Sequence, residues 1–139
     1  MASYLFRVLR DDENPKMFGL TAKNPFANES LEYYVANGSW DMKSQYMSCS
    51  NNLQSALEFG NKKFQQPPFR IATLDRNKIK NDTSITVYDV SDGGYGYGFT
   101  NDEAINFARH FCEVILQGHV PKEYVVDVKW YHHGTTLMQ

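Results

Sequence analysis

The 139-residue chain has two cysteines, Cys49 and Cys112, and four histidines. Two thiols make neither a disulfide framework nor a metal-binding set, so the expected setting is a reducing cytosol with both thiols unpaired. His132 and His133 are adjacent on a predicted strand end, where successive side chains diverge, and no metal is expected there. No apolar run approaches the length of a membrane span. The opening MASYLFRVLRDDENP breaks its few apolar residues with Arg7 and Arg10 and then turns acidic, which is not the pattern of a signal peptide. A net charge of −2 lacks the basic excess of duplex-DNA binders, and tight non-specific binding of nucleic acid is not expected. The common catalytic signatures are missing too. There is no Gly-x-Ser-x-Gly elbow, no His-Glu-x-x-His, no Gly-Lys-Ser/Thr phosphate loop and no dinucleotide fingerprint.

What is present reads as one soluble domain over residues 1–139. Hydrophobic residues make up 42% and charged residues 22%, ordinary for a globular protein, and aromatics are generous at 14%. SYLFRVL is a first strand closed by Asp-Asp-Glu-Asn-Pro. Glu29 to Val35 make a short helix opened by Asn28, with Gly38 and Trp40 in a following loop. A strand at Gln45–Ser48 leads into a helix from about Asn51 to Phe64, stopped by Pro67-Pro68. FRIATLD (69–75) and SITVYDV (84–90) are strands. The glycine-rich SDGGYGYGF (91–99) reads as a mobile loop. Thr100 with Glu103 reads as the capping box of a helix whose apolar face continues through Ile105, Ala108 and Cys112. In EYVVDVKWY (123–131), Tyr124, Val126, Val128 and Trp130 share one face. The class is α+β.

YMSCSNNLQSALEFG, residues 46–60, places Ser48 and Ser50 at a strand-to-helix corner. The helical face there is Leu53, Ala56, Leu57, Gly60 and Phe64. Read singly, Ser50 is a helix N-cap, Arg7 an edge-strand charge and Glu113 a solvated residue of the preceding helix. Read together, an arginine on the first strand, a serine pair in mid-chain and a late glutamate form an ordered triplet.

LFR at 5–7, YMSCS at 46–50 and EVILQGHVP at 113–121 resemble the pertussis toxin and cholera toxin type of ADP-ribosyltransferase catalytic subunit. That family has an arginine in its first strand, a Ser-Thr-Ser strand end and a catalytic glutamate followed eight residues later by a proline. Pro121 stands eight residues after Glu113. GLTA (19–22) and VKWYHHG near the end look like the pertussis-type chain in particular, so the resemblance covers nearly the whole sequence. It implies an ADP-ribosyltransferase-like fold of two small mixed β-sheets packed together with flanking helices. It also implies cleavage of the nicotinamide–ribose bond of NAD+, the substrate, through an oxocarbenium-like transition state.

By the same resemblance, Glu113 accepts from the ribose 2′-hydroxyl and stabilises the developing positive charge, an effect worth on the order of 10² to 10³ in rate. Ser48 holds the Glu113 carboxylate by a hydrogen bond. Arg7 ties strands together and contacts the NAD+ phosphates. Tyr46, Ser50 and Arg10 join the NAD+-binding set, Ser50 being either a member of the site or the helix cap. Three positions depart from the pattern. Cys49 stands for the middle threonine, and Arg10 is displaced by one residue from the family's second arginine. Phe111 stands two before Glu113, where the family usually has Gln or Glu to engage the acceptor.

The expected activity is mono-ADP-ribosyl transfer to a macromolecular acceptor, a protein side chain or a nucleic-acid base. NAD+ hydrolysis by the same site is the enzymatic rival. A catalytically inactive binding module is the other, against which the retained triplet argues. The chain is expected to act in the cytoplasm of the cell that makes it or to be delivered by other machinery, with an antitoxin or inhibitory subunit as partner and no membrane association. Cys49 directly follows Ser48 and Cys112 directly precedes Glu113, so alternation is expected to turn both thiols into the core.

Overall fold

The structure, a computed structural model, describes residues 3–37, 42–64 and 68–132, and the backbone of 135–136. Gly38, Trp40, Pro67 and His133 lie outside the described residues. In chain order the elements are β1 (Tyr4–Val8), α1 (Pro15–Phe18), α2 (Leu31–Ala36), β2 (Tyr46–Ser50), α3 (Leu53–Lys63), β3 (Phe69–Asp75), α4 (Arg76–Lys80), β4 (Thr86–Asp89), α5 (Asp102–His110), β5 (Glu113–Gln117), β6 (Val125–His132) and β7 (Thr135–Thr136). The strands follow the order β4-β5-β2-β1-β3-β6-β7, with every pairing antiparallel.

The α+β class is as expected, while the pairing is antiparallel rather than mixed. Among the described residues the strands form one seven-stranded sheet rather than the two packed sheets expected, and it divides into the halves β4-β5-β2 and β1-β3-β6-β7. A single residue pair, Phe6↔Ser50, joins them, whereas β1 and β3 match over five pairs and β2 and β5 over another five. The ladder is therefore shortest at the β1–β2 seam. Polar side chains can enter there without breaking an extended ladder.

Local chemistry sets the helix boundaries. Asn52, not Ser50, caps α3, its side chain accepting from the Ser55 N–H. Ser30, not Asn28, caps α2 by accepting from the Tyr33 N–H. Asn101, not Thr100, caps α5 by accepting from the Ala104 N–H. Glu32 of α2 accepts from the backbone N–H groups of Thr100 and Asn101, so α5 is anchored by another helix rather than by its own capping box. α4 has no boundary signal in the sequence, because Asp75, the last residue of β3, is also its cap and no linker separates the two elements.

The glycine-rich stretch holds a 3₁₀ turn, Tyr95–Tyr97, between left-handed Gly94 and Gly98, where a loop was expected. Gly60 is required by close packing, because an added Cβ would lie 2.2 Å from the Phe69 ring. That ring is itself held between Phe64 and Tyr131.

One face of the strands packs Leu5, Met47, Cys49, Leu74, Val114 and Leu116 into a core. The other face splits into two clusters. Val8, Leu57, Phe59, Phe69 and Phe111 gather under α3, and Tyr34, Tyr46, Ala104, Ala108 and Ile115 gather under α2 and α5. The expected inner face of β6 is displaced. Val126 and Trp130 are exposed, while Val125 and Val128 pack on the first core. A register shift between Thr73 and Leu74 opposite β6 breaks the alternation that the sequence pattern implies.

Candidate active site

β2 and β5 bring Ser48, Ser50 and Glu113 to one face. Ser50 lies directly opposite Glu113 and Ser48 opposite Ile115, so alternation puts Ser48 diagonal to Glu113 on the same side. Glu113 is 4% exposed. It begins a strand instead of continuing α5, so it is neither helical nor solvated. The residue before it, Cys112, has φ +48°, a left-handed conformation that costs a non-glycine residue energy and turns the chain from helix into strand.

A cavity of about 10 Å³, lined by Phe6, Val8, Ser48, Cys49, Ser50, Phe59 and Glu113, sits at the seam. It has room for one water at most. Glu113 Oε2 is buried there with no protein hydrogen-bond partner. Burial pushes the Glu113 carboxyl up to about 8, the nearby charges of Lys63 and Lys62 opposing that shift only in part. An unpartnered carboxylate oxygen in such a place costs stability, and groups perturbed in this way concentrate at functional sites.

The expected Ser48–Glu113 hydrogen bond is not formed. Ser48 Oγ instead bonds the hydroxyl of Tyr34 at 2.7 Å, because α2 lays that tyrosine, 1% exposed, over β2. Burial holds the Tyr34 phenol well above its ordinary value, so it remains a neutral hydroxyl. Sequence patterning gave no sign of Tyr34, since one tyrosine among nine on a short helix carries no motif.

Arg7 alternates with Phe6 and so leaves β1 on the opposite side of the seam. It is fully buried and reaches across to β2, where Nη1 donates to the Ser48 carbonyl at 2.8 Å. Its Nε and Nη2 both donate to the Glu13 carboxylate, at 3.2 and 3.1 Å. Burial opposes the charge on Arg7, and the adjacent Glu13 outweighs it, holding the guanidinium above its ordinary value. The expected tie between strands is thus visible as the Arg7–Ser48 bond. The remaining donors go to Glu13.

Arg10 is buried beside them, paired with Asp12 at 3.0 Å and with Glu13 at 3.6 Å. Tyr46 shares the Ser48 face but sits toward α2 and β4. There its ring packs on Tyr34 and Tyr88, and its hydroxyl donates to the Glu29 carbonyl. Phe111 is 3% exposed and packs edge-on against Phe59 at 5.2 Å, a buried hydrocarbon at the position where the resemblance implied a polar side chain. Cys49 enters the core as expected. Cys112 does not, because its left-handed turn lies outside the strand, and it is half-buried.

No family model matches the chain, and no curated protein does so. Solved structures do. The chain aligns with one named EcPltA over 93% of its own length and 75% of that chain, at 13% identity and a TM-score of 0.66. It aligns over 99% of its length with the A subunit of an arginine-to-lysine mutant of heat-labile enterotoxin, covering 71% of that chain at 16% identity and a TM-score of 0.61. A nicked CARDS toxin matches at 12% identity and a TM-score of 0.55, with this chain spanning a quarter of its length. At these identities the likeness is one of fold, and that fold is the one used by ADP-ribosylating toxins.

Proposed function

We propose that this chain is an NAD+-dependent mono-ADP-ribosyltransferase of the pertussis and cholera toxin type. The observation that carries the reading is Glu113, a buried carboxyl with an unpartnered oxygen at the seam of two half-sheets, directly across from Ser50. A fold of this size stabilises itself better with an apolar side chain at such a position, so an ionisable group there points to chemistry. In the proposed reaction the Glu113 carboxylate accepts from the ribose 2′-hydroxyl and stabilises the oxocarbenium as nicotinamide departs. Ser48, fixed by Tyr34, shapes the wall beside it, and Arg7 braces the seam through the Ser48 carbonyl.

The small cavity implies that Phe6, Val8 or Phe59 moves when substrate enters. In the enterotoxin neighbour, an arginine-to-lysine mutant, an active-site loop shows great flexibility. NAD+ hydrolysis is the second reading. It is favoured by buried Phe111, which presents no polar group to an acceptor.

Incubation with NAD+ labelled in the adenylate moiety, in lysate, with protein and nucleic acid counted separately, tests both readings. Label on either macromolecule supports the transferase, and soluble ADP-ribose alone supports the hydrolase. Intact NAD+ after prolonged incubation with folded protein would refute the enzymatic reading.

A further inference from the structure

α3 and α5 end side by side, and each carries basic residues in its last turn, Lys62 and Lys63 on α3, Arg109 and His110 on α5. Between these ends runs a groove of about 680 Å³, walled by Lys62, Asn106, Phe107, Arg109, His110 and Phe111. Helix C-termini favour cations, which accounts for the residue types. It does not account for how two of them are held. Lys62 Nζ sits 4.0 Å from the centre of the Phe107 ring and 5.5 Å from that of Phe111. Arg109 donates to the Asp92 carbonyl and the Tyr95 hydroxyl, and its guanidinium lies 5.0 Å over the Tyr95 ring. All these partners are neutral. Among the described residues neither cation is paired with a carboxylate, whereas Arg7, Arg10 and Arg76 each are. The acid on the groove wall, Glu103, stands about two turns back along α5 from His110, and Glu58 lies 3.4 Å from His110 itself.

The floor of the groove is flat and aromatic. Phe107 and Phe111 are nearly parallel, at 14° with ring centres 6.1 Å apart, and Asn106 adds an amide that both donates and accepts. Uncompensated cations beside aromatic rings are what single-stranded nucleic acid binds, its phosphates meeting the cations and its bases stacking on the rings. An acidic peptide uses the charges and leaves the rings idle. The groove also abuts the seam. Phe111 packs on Phe59, which lines the Glu113 cavity, and Lys62 is close enough to oppose the rise that burial imposes on the Glu113 carboxyl.

We propose that the groove between α3 and α5 binds single-stranded nucleic acid and presents one of its bases to the seam as the ADP-ribose acceptor. The transfer step rests on the NAD+ reading; the binding does not. In that step the bond from ribose C1′ to nicotinamide breaks, and its electron pair leaves with nicotinamide. An amino nitrogen of the base forms the new bond to C1′ and gives its proton to the Glu113 carboxylate. Phe111, which has no polar group for a protein side chain, then serves as the floor beneath a base. A net charge of −2 over the whole chain keeps the binding local and salt-dependent.

The test is fluorescence anisotropy of the full chain, without NAD+, at two salt concentrations. The probes are short labelled single strands of DNA and RNA, the matching duplex and an oligoglutamate peptide. Wild type should bind the single strands about fivefold more tightly than duplex or peptide, the equivalent of one stacked base. Lys62→Gln should weaken that binding several-fold and lower the salt slope by about 0.7. Lys80→Gln on α4, which changes the net charge equally, should leave it unchanged. Asn106→Asp sets a negative charge on the groove wall and gives the same reading if Lys62→Gln does not fold.

No binding of single strands by the folded wild type at low salt overturns the proposal. Equal weakening by Lys62→Gln and Lys80→Gln makes the attraction general and overturns it too. Equal affinity for the peptide makes the groove a protein contact, and equal affinity for duplex removes the stacked base; either overturns the nucleic-acid assignment. Failure of both groove variants to fold makes these residues structural and has the same consequence. Label from NAD+ on protein alone overturns the acceptor. The catalytic reading is tested separately. Strand binding by a protein that leaves NAD+ intact keeps the groove and removes the transfer, and NAD+ cleavage without strand binding does the reverse.

Discussion

Glu113→Gln should abolish NAD+ cleavage and, in the same protein, make the fold less sensitive to alkali. The carboxyl moves from 4.5 in the open chain to about 8 in the fold, chiefly because burial disfavours its charge. Below pH 4.5 it is protonated in both states and costs nothing. As pH rises toward 8, the unfolded chain ionises and the folded one does not, so stability falls; above 8 the loss is complete. Each pKa unit corresponds to about 1.4 kcal/mol, so full ionisation inside the fold costs about 5 kcal/mol. Between pH 5 and pH 9 the wild type should lose about 4 kcal/mol that the glutamine variant keeps, on the order of 10 °C in Tm for a chain of this size.

The amide brings its own unsatisfied polar group, but that cost is independent of pH and cancels from the difference. Urea unfolding of both proteins at several pH values reads the effect directly, because every other titrating group is common to the pair. Parallel stability curves would refute the burial argument. Full NAD+ cleavage by a folded glutamine variant would refute the catalytic assignment.

Four further outcomes follow from the same geometry. Tyr34→Phe removes the hydroxyl that holds Ser48 Oγ and should cost about 1 kcal/mol while lowering turnover; unchanged turnover would free Ser48 of any dependence on α2. Asn52→Ala should cost about 1 kcal/mol through loss of the α3 cap, with activity kept, whereas Ser50→Ala should affect NAD+ cleavage more than stability, and the reverse pattern would reassign both. Cys49, its thiol pushed up to about 12 by burial, should label only on unfolding, while half-buried Cys112 labels faster in the native protein; equal slow rates in a thiol-reagent time course would contradict this. Gly60→Ala gains helix propensity of about 1 kcal/mol but drives a methyl into the Phe69 ring, so chemical unfolding should show a net loss of about 1 to 3 kcal/mol.

The sequence by itself determined the α+β class and most strands. Period-two runs such as FRIATLD and the strand pair YMSCS and EVILQ carry their own signal, since burial of one face demands it. Caps were legible in type but not in position. Ser50 and Asn52, like Thr100 and Asn101, lie within two residues of each other, and only the backbone geometry selects which oxygen reaches the third N–H. Tertiary structure alone decided the environment of the triplet. Tyr34 reaches Ser48 because α2 folds over β2, and Glu13 reaches Arg7 because the turn after β1 doubles back. Glu113 became buried and unpartnered only when Phe59 of α3 and the β1 edge closed over the seam. Such contacts depend on where elements pack, and no local period along the chain encodes them.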